Sequence, residues 1–293
     1  MGAGIAQVFI AAGHTVRVFD PTEKARLSLH KRVFDGLTQE GYSGDELSNL
    51  TVHDQLEEAV AETQFVTEAA PEKLELKQSI FAQLIKHAPG SAILASNTSV
   101  IPIHKIANDL PTAERIVGTH WWNPAPLIPL VEVIESEATS SETIDETMRL
   151  LSSIGKRPAH VKKDIPGFVA NRLQHALWRE AISMVADGVC DAKTLDDCVK
   201  NSFGLRLAVL GPMENADLVG LDLTQDIHNT ILPALDASRE PNPVLQDKIN
   251  LGAFGFKSGE GFQVWSDKRQ AQLKSELANH LIAAKAKRGA SDV

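Results

Sequence analysis

The sequence contains little cysteine, few aromatic residues and no long apolar run. Only two of its 293 residues are cysteines, Cys190 and Cys198, so neither a disulfide framework nor a metal site is expected. No apolar stretch is long enough to cross a bilayer, and no secretory signal is visible. The sequence therefore predicts a soluble, cytoplasmic protein with no membrane partner.

An excess of positive charge is also absent. The chain has 29 Lys and Arg residues against 38 Asp and Glu, a formal net charge of −9. No basic face with interleaved aromatic residues is found, which argues against nucleic acid as a partner. A hydrophobic content of 43% and a charged content of 23% are typical of a globular protein, and the length allows two domains.

The order of predicted elements indicates an α/β domain over residues 1–164 and an all-helical domain over 165–293. Up to residue 164, β-rich runs alternate with amphipathic helical stretches, which predicts a parallel sheet with crossover helices. The predicted strands are 15–19, 65–68, 92–95, 116–119, 131–134 and 159–161. The predicted helices are 24–38, 74–87, 141–154, 168–199, 213–235 and 270–288.

A histidine and a glutamate indicate acid–base chemistry. His120 suits a general base, provided that an acceptor holds its far ring nitrogen and fixes the tautomer. Glu132 lies in the strand-like run 130–134, where an unpaired buried carboxylate would be costly, so a partner is expected nearby. The alternative is a core histidine and a glutamate that points to solvent. The polar run 96–99 supports the catalytic interpretation, although it can also be the N-cap of a helix.

The chain opens like the second half of a dinucleotide-binding βαβ unit. Gly2 and Gly4 begin a small apolar helix, and the strand after it ends at Asp20, an acidic residue that can hold a ribose diol. Asp20 can instead cap the helix that begins near Thr22. The preceding strand and two further glycines of the fingerprint are absent, and Gly2 matches its last glycine. Because that strand is central to a Rossmann sheet, we expect the natural polypeptide to start upstream.

These motifs together resemble the L-3-hydroxyacyl-CoA dehydrogenases over nearly the whole chain. The matching segments are 2–20, 68–72, 96–99, 120–124 with Glu132, 166–172 and 255–262. The resemblance implies an N-terminal Rossmann-type domain that binds NAD. It also implies a helical C-terminal domain for substrate binding and homodimer formation.

Residue roles follow from the resemblance by motif position. His120 resembles the catalytic base and Glu132 its partner, while Ser99 and Asn171 resemble the donors that hold the 3-oxygen of the substrate. The implied cofactor contacts are Gly2, Asp20, Glu72, Lys77, Asn97 and Lys257. As alternatives, Asn171 can be a cap or a buried amide and Lys257 an ordinary loop lysine. The pair Trp121 and Trp122 is expected to be core packing.

Arg206 points to a different substrate branch. The segment 204–212, which contains it, resembles the lambda-crystallin, gulonate and carnitine dehydrogenases, whose substrates are free 3-hydroxy acids. Arginine pairs with a carboxylate through two hydrogen bonds, although Arg206 can equally be a structural ion-pair partner. The segment before Val52 is also shorter than in the coenzyme A enzymes.

The expected function is NAD-dependent oxidation of the 3-hydroxyl group of a short 3-hydroxyacyl-CoA, in fatty acid metabolism. The alternative keeps the chemistry and takes a free 3-hydroxy acid as substrate. A lesser alternative is a non-catalytic, crystallin-like protein.

Asp20 should impose a preference for NAD over NADP, because a carboxylate that faces the ribose hydroxyls repels a 2′-phosphate. The measurement is kcat/KM with NADH and with NADPH. The NADH value divided by the NADPH value should be smaller in Asp20→Ser than in the unmodified protein. Equal efficiencies in the unmodified protein would show that Asp20 faces elsewhere.

Overall fold

The computed structural model describes residues 1–291. The chain divides into two compact units, the first made of residues 1–172 together with 279 onward, and the second of residues 173–278. The strands are β1 Val16–Phe19, β2 Leu50–His53, β3 Phe65–Glu68, β4 Ile93–Ser96, β5 Ile116–Trp121, β6 Leu130–Ile134 and β7 Arg157–Val161.

The helices extend along the whole described chain. In the first unit they are α1 Gly2–Ala11, α2 Glu23–Gln39, α3 Leu56–Val60, α4 Leu74–His87, α5 Ile103–Ile106 and α6 Ser141–Ser153. The remaining helices are α7 Ala170–Ala186, α8 Ala192–Lys200, α9 Phe203–Arg206, α10 Pro212–Val219, α11 Leu221–Ile231, α12 Pro243–Asn250 and α13 Asp267–Ser291. In the described part of the chain, no helix is both long and apolar enough to cross a membrane.

The first unit confirms the predicted Rossmann-like α/β fold, with two corrections to its sheet. The strand order is β1-β2 in one sheet and β3-β4-β5-β6-β7 in the other. All neighbouring strands are parallel except β5 and β6, which are antiparallel, so the expectation of a wholly parallel sheet was wrong at this pair. Strand β2 was not predicted, because four residues with two polar side chains give too short an alternation to detect.

Helices cover both faces of the larger sheet. Leu94 packs with α4 and α5 on one face, while its neighbours Ile93 and Ala95 pack with α1 and α6 on the other. This alternation follows from the two-residue period of a strand. It explains why the strands read as nearly continuous apolar runs.

Helix α1 packs against both sheets. Ile10 is fully buried in the cluster that α1 forms with α2 and β2, and the ring of Phe9 lies 6.3 Å from that of Phe65 in β3. Within residues 1–291, β1 pairs with β2 alone and β3 with β4 alone. The two sheets are therefore joined through packed helices, α1 and α3, rather than through a shared hydrogen-bonded strand.

The second unit is helical, as predicted, but its helices are shorter than expected. The predicted helix 168–199 ends at Ala186, since Gly188 adopts a left-handed φ of 71°, and α8 starts afresh where the Asp191 side chain accepts the Thr194 N–H at 2.7 Å. The predicted helix 213–235 is interrupted at Gly220, with φ 103°. Glycine reaches these backbone angles at little steric cost.

The second unit leaves much of its apolar surface uncovered. None of the helices α8 to α12 contains a buried residue. Val209, Leu251 and Val264 are 88%, 83% and 80% exposed. An apolar surface of this kind is typical of an interaction face rather than of a free helical domain.

Helix α13 belongs to both units. Its residues from Asn279 onward group with the first unit. There Lys285 contacts the Glu40 carboxylate and donates to the Pro126 carbonyl oxygen at 3.2 Å. The first unit is thus built from two separate stretches of chain.

Candidate active site

The antiparallel pair β5–β6 places His120 directly opposite Glu132. Opposed residues of an antiparallel pair project from the same face of the sheet, and here His120 Nδ1 lies 2.7 Å from Glu132 Oε2. The two residues are only 4% and 1% exposed. Nε2 of His120 has no partner among residues 1–291. With the Nδ1–H held by Glu132, the lone pair on Nε2 is available to accept a proton.

The second oxygen of Glu132 binds the start of α7. Oε1 accepts the N–H groups of Val169 and Ala170 at 2.9 and 3.1 Å. Burial disfavours the charged form of Glu132, but hydrogen bonds from His120 and these two N–H groups outweigh that effect. They hold the pKa of Glu132 below its usual value. Glu132 is therefore a carboxylate with both oxygens occupied.

Two aromatic rings contact the imidazole of His120. The Trp122 and Phe168 ring centroids lie 5.3 and 5.7 Å from that of His120. Trp121 packs into the apolar core, which confirms core packing for that tryptophan, whereas Trp122 lies against His120. Phe168 is fully buried. Its backbone adopts the left-handed conformation, with φ 50°, which is uncommon for a bulky residue.

A glutamate holds the loop that carries Ser99. Glu72 Oε1 accepts the Thr98 hydroxyl and the N–H groups of Ser99, Val100 and Ile101, the last three at 3.1–3.3 Å. Burial would raise the pKa of Glu72, but the hydrogen bonds from Thr98, Val100 and Ile101 and the nearby charge of Lys77 lower it. The Ser99 hydroxyl has no partner in the described residues, so it is available as a donor.

Asn171 lies beside the same loop. Its Nδ2 donates to the Ser99 carbonyl oxygen at 3.0 Å. One amide hydrogen of Asn171 is thus used within the protein and the second remains available. His120, Glu132, Ser99 and Asn171 are therefore brought together in the first unit.

Lys77 is fully buried in an ion pair. It has no exposed surface, and its Nζ donates to both oxygens of Glu68 at 2.8 and 2.9 Å. The Ser96 hydroxyl donates to the same carboxylate at 2.7 Å. Through this pair Lys77 joins α4 to the ends of β3 and β4. Sequence reasoning did not single out Glu68.

Asn97 is oriented for an external contact. Its Oδ1 accepts the Trp121 N–H at 2.9 Å, and its Nδ2 has no partner in the part of the chain that the structure describes. An amide donor held in this way suits a ribose hydroxyl or an amide oxygen of a bound cofactor.

Gly2 begins α1, and Asp20 directly follows the last residue of β1. A Cβ at Gly2 would lie 3.9 Å from the Ala69 side chain, and no acceptor among the described residues binds the N–H groups of Gly2 and Ala3, so this helix start can receive an anion. Asp20 Oδ1 accepts the Thr22 N–H at 2.8 Å, as in the capping alternative, while its Oδ2 stays available.

Lys257 and Arg206 belong to the second unit. Both are exposed, and neither has an acidic partner within residues 1–291. The alternative that Arg206 is a structural ion-pair partner therefore receives no support in the described chain.

The residues that sequence reasoning missed act mainly through the backbone. Gly167 and Phe168, both with positive φ, shape the turn that presents the Val169 and Ala170 N–H groups to Glu132. The break at Pro166-Gly167 was visible in the sequence. Nothing in the side-chain pattern indicates which backbone donors a carboxylate will use.

Two family models match the chain. The NAD-binding domain of 3-hydroxyacyl-CoA dehydrogenase matches residues 1–165, and the C-terminal domain of 3-hydroxyacyl-CoA dehydrogenase matches residues 167–265. Together the two matches include every residue of the site described above.

Curated relatives cover most of the chain at 35–40% identity. The 5-formyl-3-hydroxy-2-methylpyridine 4-carboxylate 5-dehydrogenase of Mesorhizobium japonicum is 35% identical over 97% of this chain and 94% of the relative. L-carnitine dehydrogenase of Streptomyces griseus is 40% identical over 75% of this chain and 67% of the relative. A probable 3-hydroxybutyryl-CoA dehydrogenase of Bacillus subtilis is 35% identical over 92% of this chain and 95% of the relative.

A solved structure agrees over nearly the same length. The crystal structure of a 5-formyl-3-hydroxy-2-methylpyridine 4-carboxylic acid 5-dehydrogenase, an NAD⁺-dependent dismutase, has a TM-score of 0.88 and 34% identity. It covers 97% of this chain and 94% of that one.

Lys77→Ala should destabilise the protein by about 3–5 kcal/mol, because it leaves the buried Glu68 carboxylate without its cation. The measurement is the free energy of unfolding in urea. Lys86→Ala, an exposed lysine of the same helix, is the control and should change little. A stable Lys77→Ala variant with weakened NAD binding would instead show that Lys77 acts on the cofactor directly.

Proposed function

The chain belongs to the 3-hydroxyacyl-CoA dehydrogenase family of NAD-dependent enzymes, and from that premise we propose that it oxidises the 3-hydroxyl group of a short 3-hydroxyacyl-CoA. The observation that carries the proposal is the buried His120–Glu132 pair with Nε2 of His120 left without a partner. A non-catalytic, crystallin-like role would give no reason to bury a histidine against a carboxylate in this way.

In the proposed mechanism, the chain moves one proton. Nε2 of His120 takes the proton of the substrate hydroxyl, and Glu132 stabilises the imidazolium that forms. NAD⁺, when bound, would supply the acceptor for the hydride from the carbon that bears this hydroxyl group. In the reverse direction, the Ser99 hydroxyl and the second amide hydrogen of Asn171 stabilise negative charge on the 3-oxygen while His120 returns the proton.

The cofactor contacts are proposed from the donors and acceptors that the fold leaves unpaired. The helix start at Gly2 suits a pyrophosphate, the unpaired oxygen of Asp20 suits a ribose diol, and the Asn97 amide suits the nicotinamide half. We assign Glu72 and Lys77 an indirect part, since both are engaged with the loop and strand ends that carry Asn97 and Ser99. The role of Lys257 stays a prediction.

A free 3-hydroxy acid is the second candidate substrate. It is favoured by the exposed Arg206, which has no acidic partner in the described chain, and a guanidinium without a partner suits a substrate carboxylate. Two of the relatives named above are dehydrogenases of carnitine and of a pyridine carboxylate. The thioester is supported by the family matches and by the Bacillus subtilis relative.

We further propose that two copies associate through the helical unit. The support is its uncovered apolar surface, which includes Leu205, Met213 and Leu218, each more than 70% exposed, since such a surface needs a partner. A monomeric mass by analytical ultracentrifugation at micromolar concentration would contradict this. A cytoplasmic location and a place in fatty acid metabolism also stay predictions.

His120→Gln should lower kcat by roughly 10²–10⁴-fold with little change in the dissociation constant of NADH, the usual size of a lost acid–base step. Glu132→Gln should cause much of the same loss, so the double variant should be far from additive. The control is His160→Gln, a partly exposed histidine that lies 2.7 Å from Glu135. Near-normal turnover in His120→Gln would refute the mechanism.

Arg206→Ala separates the two candidate substrates. If Arg206 binds the carboxylate of a free acid, the KM for acetoacetate should rise by roughly 10- to 100-fold in Arg206→Ala, the effect of one charge-assisted hydrogen bond. The KM for acetoacetyl-CoA should hardly change. Initial rates with acetoacetate and acetoacetyl-CoA, each with NADH, make the comparison. Arg239→Ala, another exposed arginine of the same unit, is the control. Unchanged KM values for the free acid in Arg206→Ala would remove the second candidate.

A further inference from the structure

The two carboxylate oxygens of Glu132 bind different partners. Oε2 accepts the His120 ring N–H, and Oε1 accepts the backbone N–H groups of Val169 and Ala170. A carboxylate held at one oxygen can rotate about its last torsion, which is broad in glutamate. Contacts at both oxygens fix the plane of the group, and with it the orientation of the imidazole.

A left-handed turn aims those two N–H groups. Gly167 and Phe168 have φ values of 74° and 50°. A phenylalanine in this region costs free energy, and such conformers persist where the surrounding structure holds them. Here the Phe168 ring is fully buried in the apolar core and lies 5.7 Å from the His120 ring. The same turn therefore packs against the imidazole and presents donors to its carboxylate partner.

We propose that residues 168–170 are a positioning element for the base: the Val169 and Ala170 N–H groups fix Glu132 so that its other oxygen holds His120 in the reactive tautomer. The inference rests on the proposed role of His120 as the base. It assigns a catalytic consequence to a backbone segment that contributes no side chain to proton transfer.

Ala170→Pro removes one of the two donors and puts the proline ring where the Ala170 N–H met Glu132 Oε1, so the carboxylate must move. Ala170 is the first residue of α7, the helix position where proline is well tolerated. Ala192→Pro is the matched control, since Ala192 is the first residue of α8 and its N–H binds no carboxylate in the described chain. Ala170→Pro should lower kcat by at least roughly 5- to 30-fold, because one hydrogen bond to a charged group is lost and the Glu132 carboxylate is displaced. KM for NADH should match that of Ala192→Pro.

Coupling to Glu132 distinguishes positioning from a general structural effect. In a Glu132→Gln background, Ala170→Pro should lower kcat by less than about 2-fold more, because the group that it positions is already lost. Losses that multiply in the double variant would overturn the proposal. So would a kcat for Ala170→Pro equal to that of Ala192→Pro.

A spectroscopic readout keeps the test independent of turnover. The measurement is the proton NMR resonance of the His120 ring N–H, which is assigned by its loss in His120→Gln. This resonance should shift or broaden in Ala170→Pro and stay unchanged in Ala192→Pro. If the unmodified protein reduces neither acetoacetyl-CoA nor acetoacetate, the proposed function fails, and this resonance still decides the positioning. An unchanged resonance in Ala170→Pro would contradict it.

Phe168 supplies a second pair of variants if Ala170→Pro does not fold. Phe168→Gly and Phe168→Ala both remove the ring, but only glycine adopts the left-handed conformation at low cost. The His120 resonance should therefore be retained better in Phe168→Gly than in Phe168→Ala. Equal loss in the two variants would show that the turn does not act through its backbone.

Discussion

The first unit depends on the antiparallel register that sets His120 against Glu132. A slip of one residue between β5 and β6 would turn one of the two side chains to the opposite face of the sheet. It would also leave a buried carboxylate without its donor, which is among the costlier faults that a core can contain. The buried His120–Glu132 pair therefore favours this strand register, and the register in turn supplies the geometry of the site.

Much of this arrangement could be predicted from residue types alone. A carboxylate inside the run 130–134 requires a partner, and His120 was the expected one. The antiparallel direction could not be predicted, because a strand has the same two-residue period whichever way its neighbour runs. The helix breaks at Gly188 and Gly220 were missed because the apolar spacing continues across them, and spacing alone does not show that a backbone angle has become positive.

Lys77 shows where the sequence held a usable signal. It lies three residues after Leu74 and four before Phe81, on the stripe of α4 that faces the core. A lysine on such a stripe requires an acidic partner inside the protein, and Glu68 at the end of β3 is that partner. The resemblance placed Lys77 at the cofactor by its motif position alone. Motif position does not show whether a side chain points into the core or toward a ligand.

The position of α13 bears on how the chain is made. Residues from Asn279 onward, including Lys285 with its contacts to Glu40 and Pro126, complete the first unit. A ribosome synthesises these residues only after it has synthesised the whole helical unit. During translation, part of the surface of the first unit therefore stays uncovered until residues 279–291 emerge. A nascent chain released before residue 279 would lack the contacts of Lys285 even though every strand of the described residues had been made.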